Sequence, residues 1–283
     1  MPLKSGVSIL IWTEARKHAK SEKRLKPLMN KESLIPIDGT VDAAEIEKFA
    51  AMAEEWWDAN GKFKPLHKLN PARLGFLRDR IASHFGRDPM ATNPLKDLNV
   101  LDIGCGGGLM TEPLRRLGAT MTAVDAAERN IEIARIHAQK MALDIDYYYA
   151  TAGQLAAEGK QFDAVVNMEV IEHVADIHKF LAECAQLVRP GGLMVLATLN
   201  RTAKSFMLAI VGAEYLLRWL PRGTHEWQKF VKPSELATAC RPLGLEMTEL
   251  MGLRYNPLRD RWQLAPNSLD VNYMAVTEKL IEQ

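Results

Sequence analysis

The chain is poor in everything that would mark a fibrous, membrane-spanning or disulfide-stapled protein. Only three cysteines, Cys105, Cys184 and Cys240, occur in 283 residues, and they form no CxxC pair. That excludes a disulfide framework and suits a reducing compartment. No apolar run approaches the roughly 20 residues that cross a bilayer. Internal repeats and low-complexity tracts are also missing. Nor is there an excess of one charge: Lys+Arg 36 against Asp+Glu 35 leaves +1, which argues against a nucleic-acid binder. What remains is an ordinary globular composition, 47% hydrophobic and 25% charged, long enough for one large domain or two small ones.

Residues 1–41 read as a basic arm, mobile or loosely docked, whose one apolar cluster is Val7–Trp12. The cluster is too short for a signal-peptide core with its cleavage site. From Asp42 a helical period places Ile46, Phe49, Ala50 and Ala53 on one face. A second helix is expected from Pro71, a favoured first helical position, with Leu74, Leu77 and Ile81 inward. Together, residues 42–98 read as an N-terminal helical cap. Strands and helices then alternate. Strands are expected at Asn99–Ile103, Thr120–Val124, Ile145–Tyr149, Phe162–Asn167 and Leu193–Thr198, and helices at Leu109–Leu117, Glu128–Met141 and Ile177–Val188. This rhythm predicts an α/β fold, a doubly wound and mostly parallel sheet with helices on both faces. Residues 199–233 look like an amphipathic insertion, and 234–283 hold the last strands, Leu245–Met251 and Asn272–Thr277.

Ligands in such sheets lie at the carboxyl ends of the strands, and the chemistry-bearing residues fall there. The strand Val100–Ile103 runs into Gly104-Cys105-Gly106-Gly107-Gly108. Glycines permit positive φ and let a ligand touch the backbone. A dinucleotide GxGxxG needs a sixth-position glycine, and that position is Leu109. A pyrophosphate cradle is therefore disfavoured. Asp125 ends the next strand, 21 residues after Gly104, where an acid can accept hydrogen bonds from ribose hydroxyls. A helix N-cap explains an Asp there equally well.

The Leu101–Gly108 turn, Asp125 and the Arg189-Pro190-Gly191-Gly192 turn resemble the class I S-adenosylmethionine-dependent methyltransferases. That donor has a carboxylate, a ribose and an adenine but no phosphate, which suits a glycine turn without the GxGxxG spacing. Many relatives place an acid after the third strand to hold the adenine amine. This chain reads Ala150-Thr151-Ala152-Gly153 instead, leaving adenine to apolar packing and backbone groups. A closer resemblance spans Asp42 to Thr277. Trp56-Trp57-Asp58, the run Gly61–His67, Asn70–Gly75, Val211–Tyr215, Pro221–His225 and Asp270–Met274 are similar to the ubiquinone-biosynthesis O-methyltransferases of bacteria and mitochondria.

The resemblance implies a Rossmann-like sheet of seven strands and methylation of ring hydroxyls on polyprenylated catechols, including demethylubiquinol to ubiquinol. It implies cofactor contacts at Arg73, Gly104, Gly106, Asp125 and Met168, with the Arg73 fork suited to the methionine carboxylate. It also implies a divalent metal on Glu169, Glu172 and His173. Two carboxylates favour Mg²⁺, while one imidazole moves the preference toward Zn²⁺ or Mn²⁺. Residues three and four apart share a helix face, but Glu172 and His173 are adjacent, so all three converge only through an irregular turn. An N-capping carboxylate with a core histidine is the bland alternative. His173 and Glu169 are the candidate catalytic groups, His173 as metal ligand or as general base. The related ExxEH pattern lacks the first histidine of an HxxEH zinc protease, which excludes that class.

Residues 200–232 carry apolar side chains from Phe206 to Leu220 flanked by cations, the composition of an interfacial helix, of a lid packed on its own domain or of a dimer contact. A membrane surface is therefore an expected partner, beside the prenylated substrate and other ubiquinone-biosynthesis proteins. The expected location is the bacterial cytoplasm at the inner membrane, or the matrix face of the mitochondrial inner membrane. Trp56, Trp57, Phe63 and His67 are expected either to close the site over the quinol ring or to be ordinary core. The alternatives to this function are a methyltransferase of soluble catechols and a scaffold of the same fold.

Overall fold

The structure, a computed structural model, describes residues 40, 42, 44, 55–207 and 226–281. Most of the 1–41 arm, the helical period after Asp42 and the centre of the insertion lie outside these residues. The chain divides between Pro36 and Ile37, and the fold below belongs to Ile37–Gln283.

The strands are β1 (Asn99–Ile103), β2 (Thr120–Asp125), β3 (Asp146–Tyr149), β4 (Phe162–Met168), β5 (Val188–Leu199), β6 (Leu245–Asn256), β7 (Arg261–Ala265) and β8 (Asn272–Lys279). They form one sheet in the order β3-β2-β1-β4-β5-β8-β6-β7. Strands β1 to β5 pair in parallel, and β8, β6 and β7 join antiparallel. Among the described residues, the helices longer than one turn are α1 (Lys64–His84), α2 (Thr111–Arg116), α3 (Glu128–Lys140), α4 (Ala152–Ala157), α5 (Ile177–Leu187) and α6 (Pro233–Cys240).

Central parallel strands must be apolar on both faces, and β1 is buried from Val100 to Ile103. Its residues alternate between two cores. Leu101 and Ile103 join Phe180, Leu181 and Leu236, from α5 and α6. Val100 joins Leu77 and Ile81 of α1 and Leu114 of α2. A smaller cluster seats Ile131, Ala134 and Ala138 of α3 on Ala123 and Tyr147.

The doubly wound α/β reading holds, with three corrections. Among the described residues the sheet has eight strands, not seven. β7 is a short edge strand whose residues are exposed or half-buried, so its sequence lacks the apolar run that marks the others. Helix α1 begins at Lys64, one turn and more before Pro71. Pro65 occupies the favoured early position, and Pro71 sits inside the helix, giving up one backbone hydrogen bond. Leu77 and Ile81 are fully buried, whereas Leu74 is only partly so. Helix α4 was not anticipated: Thr151 caps it, accepting from the Gln154 amide at 3.2 Å while Gln154 Oε1 accepts from the Thr151 N–H at 2.9 Å.

Candidate active site

Strand order reverses between β1 and β4, which opens a crevice at their carboxyl ends. Gly104 follows β1, Asp125 ends β2, and Met168 ends β4, so the fold brings these three expected positions to one rim.

The turn after β1 requires glycine. Gly104 and Gly106 have φ of +70° and +53°. A Cβ on Gly104 would stand 2.3 Å from Val170 Cγ2, and one on Gly106 would stand 2.5 Å from the Trp56 ring. The Gly104 and Cys105 amides both donate to the Val124 carbonyl, at 2.8 and 3.1 Å, tying the turn to β2. The Gly106 amide donates to Asp125 Oδ2 at 2.8 Å. Asp125 Oδ1 accepts from the Ala127 amide at 2.8 Å and from Asn130 Nδ2 at 3.1 Å. Burial pushes the Asp125 carboxyl up, and those three donors pull it back. Beneath the turn, Asp102 is buried and accepts the Thr111 hydroxyl at 2.6 Å; burial raises its pKa to about 7.

Arg73 lies in the middle of α1, fully buried. Its Nη2 forms an ion pair with the Glu169 carboxylate, and its Nε has no partner in the structure. Glu169 stands on a left-handed backbone, φ +59°, at the turn out of β4. Glu172 follows in the single 3-10 turn Ile171–His173. It accepts the Thr198 hydroxyl at 2.8 Å through Oε2, and its Oε1 is buried without a partner. Burial, then the neighbouring Glu169, push the Glu172 carboxyl well above the usual range. His173 ends the same turn, its amide donating to the Val170 carbonyl at 2.8 Å.

The expected metal set does not form. Among the described residues, no three His, Cys, Asp or Glu side chains are placed to share a metal ion. Arg73 forms its ion pair with the Glu169 carboxylate, and Glu172 is turned to the Thr198 hydroxyl. The donor, in contrast, fits. A buried guanidinium with an unpartnered Nε suits a carboxylate, an acid at the β2 end suits vicinal hydroxyls, and the glycine turn, largely buried beneath the Trp56 ring, carries no side chain at Gly104 or Gly106. Met168 is half-buried and faces the α1 side of the sheet. At the expected adenine edge, the Ala150 amide donates to the Asp125 carbonyl at 3.2 Å, and Thr151 is committed to capping α4.

The aromatic cap rests on the glycine turn. Trp56 stacks on Phe63 at 3.7 Å, and its carbonyl accepts from His67 Nε2 at 2.9 Å. Trp57 donates to the Gly107 carbonyl at 2.9 Å and stacks on His137 at 3.5 Å. Sequence reasoning missed Asn130, which accepts the Trp56 indole N–H at 2.9 Å. The signal was present: Asn130 opens the buried i, i+4 row that continues with Ala134 and Ala138.

Residues 72–250 match the family model described as a methyltransferase domain. A ubiquinone biosynthesis O-methyltransferase from Chelativorans sp. is 55% identical over 240 residues, covering 85% of this chain and 94% of the relative. One from Parvibaculum lavamentivorans is 56% identical over the same shares. Among solved structures, the fold is shared with magnesium protoporphyrin IX methyltransferase from Synechocystis with bound SAM. That structure has a TM-score of 0.55 at 14% identity, covering 86% of this chain and 99% of the other. A possible histamine N-methyltransferase from Thermotoga maritima has a TM-score of 0.56 at 17% identity, over 83% and 98%. With fold, site and relatives in agreement, this chain belongs to the ubiquinone biosynthesis O-methyltransferase family, on the class I S-adenosylmethionine-dependent methyltransferase fold.

Proposed function

We propose that this chain methylates ring hydroxyls of polyprenylated catechols in ubiquinone biosynthesis, including demethylubiquinol to ubiquinol. The observation that carries it is Asp125, tied at the β2 end to the Gly106 amide of the glycine turn, together with the buried Arg73 guanidinium at Glu169, in a chain whose relatives carry the name ubiquinone biosynthesis O-methyltransferase. S-adenosylmethionine, when bound, supplies a methyl group made electrophilic by its sulfonium. The Arg73 guanidinium holds the donor's carboxylate, and Asp125 accepts from its ribose hydroxyls. Alignment by these two anchors contributes several kcal/mol to an in-line transfer. His173, at the turn out of β4, takes the phenolic proton on an imidazole nitrogen, a role that typically contributes about 10²–10⁴-fold. Glu169 holds Arg73 in place. A divalent ion on Glu169, Glu172 and His173 would need Glu169 released from Arg73, so no step is assigned to it.

A methyl-transfer assay on a short-chain demethylubiquinol tests both points. Methylated product is expected, with turnover retained after chelation and lost in His173→Gln. No product on this acceptor overturns the substrate reading. Activity that vanishes on chelation and returns with one divalent ion overturns the base assignment. Transfer to non-prenylated catechols at equal efficiency would favour a soluble substrate.

The chain works at the surface of the bacterial inner membrane, with residues 200–232 as the contact. Support comes from the apolar and cationic composition of that stretch and from Phe206 and Met207, which are exposed where it leaves β5. Liposome flotation of the wild type and of Leu216→Glu with Leu217→Glu tests it. Equal binding by both would make the segment a lid.

A further inference from the structure

The cap is joined to the donor's sugar site by an unbroken line of hydrogen bonds. Trp56 Nε1 donates to Asn130 Oδ1 at 2.9 Å, and Asn130 Nδ2 donates to Asp125 Oδ1 at 3.1 Å. Trp56 and Asn130 are both buried, so water does not compete freely for these groups. An asparagine amide can present either its oxygen or its nitrogen to a neighbour. Here both neighbours ask for the same orientation: the indole N–H offers only a donor and takes Oδ1, and the carboxylate offers only acceptors and takes the NH₂. The indole thereby anchors the far end of the amide that Asp125 holds at the other.

The indole's place is itself enforced. Any side chain at Gly106 or Gly107 would enter the ring, with a Cβ at 2.5 Å in either case. Phe63 stacks on one face of it, and His67 holds its backbone. The segment that carries Trp56 thus reads the shape of the glycine turn and reports it to Asp125.

We propose that Trp56 and Asn130 are positioning residues for the methyl donor: the docked cap sets the Asn130 amide, which holds the Asp125 carboxylate aimed for the ribose. This rests on the reading of Asp125 as the ribose acceptor. Neither residue needs to touch the reacting atoms. An undocked cap leaves the Asn130 amide, and through it Asp125, without its indole anchor, so donor affinity and cap docking are linked.

The test is a double-mutant cycle read by calorimetric titration with S-adenosylhomocysteine. Trp56→Phe keeps the ring against Phe63 and the glycines but removes the N–H. Asn130→Ala removes the relay; Asn130→Gln, which displaces the amide, serves if the alanine variant does not fold. Each single change is expected to weaken binding about fivefold, the size of one lost hydrogen bond. The double variant is expected to bind no more weakly than the Asn130 variant alone. In turnover, the KM for S-adenosylmethionine rises while kcat changes less. A packing role would leave Trp56→Phe at wild-type affinity, which overturns the proposal. Effects that multiply in the double variant overturn it too. Asp125→Asn separates the layers: wild-type affinity there sinks the ribose reading itself, whereas weakened binding there with unaffected relay variants sinks only the relay.

Discussion

Asp102 is the acid in the glycine motif that does not face the crevice. It is buried under the turn with one hydroxyl donor, and its pKa stands at about 7. Between the ordinary carboxylate value and that one, the folded chain holds a proton the unfolded chain has released. Stability therefore falls as pH rises through this window, by about 1.4 kcal/mol per pH unit at most. Urea unfolding at pH 5 and pH 8 should show Asp102→Asn losing that part of the slope; an unchanged slope assigns it elsewhere. Arg73 makes the second case. Lysine keeps the charge but not the fork, so Arg73→Lys should weaken S-adenosylhomocysteine binding at least tenfold, by the loss of about 1.4 kcal/mol or more. Arg73→Ala, which strands Glu169, should cost about 3 kcal/mol of stability in a denaturant melt. Gly104, Gly106 and Asp125 could be read from sequence because strand, turn and acid are local and correctly spaced. The Arg73–Glu169 pair could not, since 96 residues separate the partners and spacing says nothing about which carboxylate a buried arginine meets.

At the scale of elements, sequence reading worked where apolar runs and breakers agreed and failed where one signal misled. Pro71 looked like a helix start because prolines favour that position, yet Pro65 already supplied it. β7 was invisible because an edge strand need not be apolar on either face. The stretch after β3 lacks the acid that many relatives carry there, and its Thr-x-x-Gln pattern is instead that of a capping box. That box carries its own prediction. Thr151→Ala should lower stability by about 1 kcal/mol, measured by urea unfolding, and Thr151→Ser should restore most of it. If alanine costs nothing, α4 is held by packing on α5 alone. The aromatics of the cap read from sequence as either a closing cap or ordinary core, and composition does not decide between them. Their seat on the glycine turn depends on Trp56 reaching α3, a contact between residues 74 positions apart.

The whole molecule keeps its three thiols out of reach. Cys105, Cys184 and Cys240 are buried, and burial pushes all three thiols up, Cys240 to about 11. Alkylation by a maleimide should be slow in the folded protein and rise with urea along the unfolding curve; rapid labelling of the native chain would show that the core opens locally. Helix α1, which carries the guanidinium of the donor site, is fastened to the far end of the chain. Arg80 Nη2 bonds Glu249 at 2.9 Å, and Lys68 bonds both oxygens of Asp260 at 2.7 Å. The residues assigned to the methyl donor all precede the end of β5, whereas Glu249 and Asp260, which brace the helix, come after it. A chain cut after β5 is therefore expected to lose S-adenosylhomocysteine binding in a calorimetric titration, although no residue that meets the donor is removed.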